Sequence, residues 1–101
     1  MKTVLLICGG GASSGFMAAN MRKAAKKRGA EVAILARSES ELDDYIEKID
    51  VLLIGPHLAY IENEVKERIV QSGRDILVKV IPQKVYGMMN GNEALDLLNQ
   101  E

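Results

Sequence analysis

Thr3-Val4-Leu5-Leu6-Ile7-Cys8-Gly9-Gly10-Gly11 decides the fold. An apolar, β-branched run without polar alternation is the pattern of a strand covered on both faces. Val4 to Ile7 is too short for the apolar core of a secretory leader, which needs about 7–15 residues, and far too short to span a membrane. After the glycines the period changes. Met17, Met21, Ala24 and Ala25 fall at i, i+4, i+7 and i+8, which predicts a helix from about Ser13 or Ser14 to Arg28. The basic cluster from Arg22 to Arg28 is expected to form a solvated face far from Cys8, with Gly29 ending the helix.

The same alternation continues outward. Glu31 to Ala36 is predicted as a second strand. Ser38 and Glu41 have capping-box spacing, and the helix they open is expected to bury Leu42, Tyr45, Ile46 and Ile49. Val51-Leu52-Leu53-Ile54 reads as a third buried strand, stopped by Gly55-Pro56. A helix from about Tyr60 to Ser72 would bury Ile61, Val65 and Ile69. Ile76 to Ile81 makes a fourth strand, Tyr86-Gly87 falls in a short irregular stretch, and Asn90-Gly91-Asn92 starts a last helix with Leu95 and Leu98 inward. Tyr60 is expected as a packed aromatic with its hydroxyl at the surface, and Met88 and Met89 as caps on the sheet end.

Strands alternating with helices imply an α/β fold with a parallel sheet. The expected architecture is a four-stranded parallel sheet of order 2-1-3-4 with helices on both faces, a three-layer α/β/α arrangement. At 101 residues the chain is expected to be one domain, residues 1–101. In such sheets ligands bind beyond the carboxyl ends of the strands, where the strand order reverses. Here that point lies between the first and third strands, where the loops from Cys8 and from Gly55 meet.

Composition narrows the chemistry. Thirteen Lys+Arg against fourteen Asp+Glu, a formal net charge of −1, argues against a general nucleic-acid binder. A single Cys excludes an intramolecular disulfide and a cysteine-based zinc cage, so no disulfide partner is expected, and no other residues suggest a metal. A reduced, cytosolic setting follows.

Cys8 is the expected catalytic residue. Gly9, Gly10, Gly11, Ala12, Ser13, Ser14 and Gly15 are the expected phosphate-binding segment. Small residues let the backbone wrap a ligand closely, and consecutive N–H groups can form an anion nest. The first turn of the following helix adds free N–H donors and the positive dipole end. Those donors favour thiolate over thiol at Cys8, and a thiolate can attack phosphorus. Pro56 and His57 are possible neighbours, His57 being the chain's lone histidine.

Other phosphate loops fit less well. A nucleotide P-loop needs a Lys that this segment lacks. A dinucleotide fingerprint would need Gly at position 14 and an acidic residue after the second strand. A receiver-like signalling module would need an acidic cluster after the first strand. The alternative that remains is a low-molecular-weight cysteine phosphatase or an arsenate reductase-like hydrolase. That loop carries Arg six residues after Cys, where this chain has Ser14.

The loop resembles that of enzyme IIB of the bacterial sugar phosphotransferase system (PTS), of the lactose/cellobiose (chitobiose) type, which reads approximately Cys-x-x-Gly-Met-Ser-Thr-Ser. Cys8, Gly11 and Ser13 match in place, with Ala12 for Met, the similar hydroxyl residue Ser14 for Thr and Gly15 for the last Ser. Gly55-Pro56-His57-Leu58-Ala59-Tyr60 is similar to the family's Gly-Pro-(Gln/His)-x-Ala-Tyr, and Tyr86-Gly87 with Asn90-Gly91 resembles its tail pattern. The resemblance implies a phosphoryl relay. A phosphohistidine of enzyme IIA would give its phosphoryl group to Cys8. The phosphocysteine would pass it to a sugar, expected to be a β-linked disaccharide, held by the membrane permease enzyme IIC. It also implies a cytoplasmic subunit that docks on the inner face of the membrane through IIC, with no cofactor.

Overall fold

The computed structural model describes residues 2–7 and 12–99. Four strands form one sheet: β1 (Lys2–Ile7), β2 (Val32–Arg37), β3 (Val51–Ile54) and β4 (Leu77–Val80). All three pairings are parallel, and the order is β2-β1-β3-β4, as the alternation predicts. Five helices accompany them: α1 (Ala12–Arg28), α2 (Leu42–Tyr45), α3 (Glu62–Ser72), α4 (Gln83–Gly87) and α5 (Gly91–Asp96).

The burial of each strand follows its place. Val4 to Ile7 in β1 and Leu52 to Ile54 in β3 are wholly inaccessible, whereas the edge strand β4 is half-buried throughout. Alternate residues then feed two cores. Val4, Leu6, Val51 and Leu53 pack with Met17, Ala18 and Met21 of α1 and with Tyr86, Ala94 and Leu95. Leu5, Ile7, Leu52 and Ile54 pack with Leu42, Ile46, Ile49, Val65 and Ile69. Leu95 and Leu98 are buried as expected.

Several local expectations are corrected. The segment opened by Ser38 is a 3-10 turn (Glu39–Glu41) and a single α turn, not a helix reaching Ile49. Glu41 does reach back, accepting the Ser38 N–H at 3.1 Å. The tight bond from the Lys48 N–H to the Tyr45 carbonyl, 2.8 Å, then turns the chain so that the Asp50 N–H meets the Thr3 carbonyl. Ile46 and Ile49 stay buried, while Tyr45 is only half-buried. The segment after β3 begins as a 3-10 turn (Pro56–Ile61), and α3 starts only at Glu62. With three residues per turn, Leu58 and Ile61 share the inner face. Tyr60 therefore points outward and is 78% exposed, not packed.

Tyr86-Gly87 is helical, in α4. Beyond Gly87 and the cap residue Met88 the chain turns at Met89, φ 52°, with the Asn90 N–H bonded back to the Val85 carbonyl. Met89 packs partly on the core, but Met88 is exposed and caps nothing. The basic end of α1 is not merely solvated. Arg22 donates to the Ile34 carbonyl at 3.0 and 2.6 Å. Arg28 pairs with Asp96 at 2.9 Å and bonds Asn92, tying α1 to α5. Lys23, Lys26 and Lys27 remain exposed.

Candidate functional site at the carboxyl edge of the sheet

Cys8, Gly9, Gly10 and Gly11 lie outside the described residues, so the site is built from what flanks them. Ile7, the residue bonded to Cys8, ends β1 beside Ile54 on one side and Arg37 on the other. The Gly55 N–H donates to the Ile7 carbonyl at 2.9 Å. That bond fastens the exit of β3 to the exit of β1. The two loops expected to meet at the reversal of strand order therefore leave the sheet side by side.

Gly55 is extended, at φ −61° and ψ 148°, and Pro56 sets the first φ of the 3-10 turn. Buried Leu58 and Ile61 pin that turn to the sheet. Pro56 is half-buried and His57 exposed. The His57 ring sits 5.7 Å from the Tyr86 ring, tilted by 60°. Tyr86 is itself buried in the core shared with Met17 and Ala18 of α1. A cleft of about 300 Å³ lies between these parts, lined by Pro56, His57, Gln83, Tyr86 and Gly87. Among the described residues that line it there is no Lys or Arg.

Ala12, Ser13, Ser14 and Gly15 form the first turn of α1, so the helix begins one or two residues earlier than the periodicity predicts. The first N–H groups of a helix lack intrahelical acceptors. Gly15 is exposed, and a Cβ built on it would meet nothing within 4 Å. Packing does not require that glycine; it leaves open space at the helix start.

Two residues near the edge were not singled out in the sequence. Arg37 stands in register with Ile7, but its Nε donates to the Tyr45 hydroxyl at 2.9 Å and its Nη1 to the Ala36 carbonyl at 2.7 Å. Its only sequence signal was its place at the end of β2. Phe16 is 67% exposed on α1. An aromatic out of phase with the Met17/Met21 stripe was the available sign.

Three comparisons bear on this geometry. The family model described as "PTS system, Lactose/Cellobiose specific IIB subunit" matches residues 3–97. The chain is 33% identical over 99 residues to the galactose-specific EIIB component of Lactococcus lactis subsp. cremoris, covering 93% of this chain and 90% of that one. It is 31% identical to the oligo-beta-mannoside-specific EIIB component of Bacillus subtilis, over 95% of this chain and 91% of that one. It is also 26% identical to the lactose-specific EIICB component of Lacticaseibacillus casei, over 94% of this chain but only 16% of that longer protein. Among solved structures, the cellobiose-specific phosphotransferase IIB component of Borrelia burgdorferi superposes with a TM-score of 0.75 at 29% identity, over 97% of this chain and 89% of the other. The lactose-specific IIB domain of Streptococcus pneumoniae superposes at 0.81 with 18% identity, over 98% and 95%, a likeness of fold. Among the described residues, no helix is long and apolar enough to cross a membrane.

Proposed function

We propose that this chain, which belongs to the lactose/cellobiose-type IIB family of the sugar phosphotransferase system and is a phosphoryl carrier of that system, bears the phosphoryl group on Cys8. In the first step the Cys8 thiolate attacks phosphorus and the N–P bond of a donor phosphohistidine breaks. Its electron pair stays on the imidazole nitrogen. In the second step a sugar hydroxyl attacks, the S–P bond breaks, and its electron pair returns to sulfur. The hydroxyl proton leaves to solvent or to a base on the acceptor side. The N–H groups of Gly9 to Gly15 are the proposed ligands of the equatorial oxygens.

The observation that carries this reading is the bond between the Gly55 N–H and the Ile7 carbonyl. It fastens the exits of β1 and β3 together, which supports a site shared by the loop that follows Ile7, the turn at Pro56 and His57, and the amino end of α1, where an anion is favoured. The proposed donor is enzyme IIA and the proposed acceptor is a β-linked sugar in the permease enzyme IIC, which places the chain at the cytoplasmic face of the membrane. The fused EIICB relative supports association with a IIC domain. Of the four large apolar side chains exposed among the described residues, Phe16, Tyr60 and Met88 follow the carboxyl ends of β1, β3 and β4. They are the proposed contact rim for the two partners, which must use it in turn. Arg37 is held by Tyr45 and Ala36. No observation favours a hydrolase.

The test is mass spectrometry after incubation with phosphorylated IIA. A gain of about 80 Da, one phosphoryl replacing a hydrogen, should map to Cys8 and vanish in Cys8→Ser. An unmodified Cys8 would remove the reading.

A further inference from the structure

We propose that the outer face of α1 is a docking surface for an anionic lipid bilayer, with Lys23, Lys26 and Lys27 as its contacts. The proposal goes beyond the carrier reading. It rests on the association with a membrane permease proposed above, and not on Cys8.

The charge of the molecule is divided by its sheet. α1 carries five basic residues and no acidic one. It packs on the face of the sheet that holds Val4, Leu6, Val51 and Leu53. α2 and α3 cover the opposite face. There Asp43, Asp44, Glu62, Glu64 and Glu67 outnumber Lys66 and Arg68. A negative plane attracts the first layer and repels the second. α5, beside α1, adds Glu93 and Asp96, and Asp96 is already engaged by Arg28 at 2.9 Å.

Helical geometry gathers the remaining charges. Met17, Met21, Ala24 and Ala25 are buried. At 3.6 residues per turn, Lys23, Lys26 and Lys27 fall on the side opposite that stripe. Residues three and four apart are neighbours on a helix, with about 5–6 Å between Cβ atoms. All three lysines are exposed, and none is in an ion pair among the described residues. The two arginines of α1 are held within the molecule, Arg22 on the Ile34 carbonyl and Arg28 on Asp96 and Asn92.

That difference selects the occupant. Guanidinium forks suit geometric recognition of a carboxylate or phosphate on a structured partner, and here they are occupied. What α1 leaves exposed is a set of compact charges on flexible stems, which suits a diffuse layer of anionic headgroups. The chain's formal net charge of −1 argues against a nucleic acid. Position agrees. α1 begins after the carboxyl end of β1 and returns the chain to the amino end of β2. The lysines of its last turns therefore lie toward the amino end, and the contact draws on none of the residues that line the cleft.

The experiment is cosedimentation of the full chain with vesicles of equal parts phosphatidylglycerol and phosphatidylcholine at low salt. Wild type should pellet with them. It should stay in solution with pure phosphatidylcholine, or in about 1 M NaCl, where the screening length falls to about 3 Å. Lys26→Gln with Lys27→Gln should lower partitioning about 20-fold, roughly fivefold for each lysine. Gln matches Lys in helix propensity, so the fold should hold. Lys48→Gln with Lys66→Gln removes the same charge elsewhere and should leave partitioning nearly unchanged. Arg at positions 23, 26 and 27 together should preserve it. The proposal is overturned by a wild type that does not pellet, by equal pelleting with both kinds of vesicle, or by equal losses in the two double variants. It is overturned equally if Lys26→Gln with Lys27→Gln slows transfer from IIA in solution while vesicles bind nothing, since the face would then meet a protein. The Cys8 adduct, and capture of IIC in detergent, are read without a bilayer, so a failure of the carrier reading or of the IIC association shows separately.

Discussion

The two ends of the sheet invite opposite mistakes. The larger depression, about 630 Å³, lies at the amino end of the strands and is walled by charged groups such as Lys2, Asp50, Lys66, Arg74 and Asp75. Several of these are already engaged. Asp50 accepts the Thr3 N–H at 2.8 Å, Arg74 donates to the Ile46 carbonyl at 2.9 Å, and Lys66 pairs with Glu62 at 3.0 Å. The carboxyl end has a cleft half that size, lined by a histidine, a glutamine and a tyrosine. Volume alone is therefore a poor guide here: polar walls of the larger depression serve to close the fold, whereas the smaller cleft adjoins the carboxyl ends of β3 and β4.

That division is open to attack from three sides. A lesion remote from both ends should damage stability alone. At Gly91 a Cβ would stand 2.4 Å from the Asn20 carbonyl oxygen and 2.8 Å from the Met21 nitrogen, because α5 crosses α1 with backbone nearly touching backbone. Gly91→Ala should cost about 3 kcal/mol, at the top of the range for overpacking, read as a fall in urea midpoint. Transfer per folded molecule should not change; a specific loss of rate would mean that the α1–α5 contact sets the site. Next, Phe16→Ala with Tyr60→Ala should lower kcat/KM for transfer from IIA about tenfold, through KM, since interface anchors are exposed aromatics. The urea midpoint should stay put. An unchanged KM would move the docking surface elsewhere. The smallest effect belongs to the amino end. Asp50→Ala removes the acceptor of the Thr3 N–H and should cost about 1 kcal/mol of stability. Transfer should be unaffected, and a slower one would break the division between the ends.

What the sequence revealed follows from how each feature is encoded. β1 and β3 were legible because both faces of each are covered, which forces unbroken apolar runs from Val4 to Ile7 and from Val51 to Ile54. The stretch from Cys8 to Gly15 stood out as a cysteine and glycines ahead of a helix, and of that pattern the structure describes the helix, from Ala12. The cleft was not, because it joins Pro56 and His57 to Gln83 and Tyr86, nearly thirty residues away. α4 was read as an irregular stretch because five residues carry too little periodicity to show a helix; the chain leaves it through Met89, which takes the left-handed conformation that a glycine more often holds. Arg22 and Arg28 looked like solvent-facing charge because helical periodicity says nothing about a carbonyl on β2 or a side chain on α5. The need for glycine at position 91 left no local trace, since it arises from the neighbouring helix.

Lys2 and Leu98 line one shared depression of about 180 Å³, together with Arg28 and Val32 at the amino end of the sheet. The described chain therefore enters and leaves on the side remote from the cleft. A tether joined to either terminus would reach the body from behind. It would leave the carboxyl edge of the sheet, with its cleft, clear of its own leash.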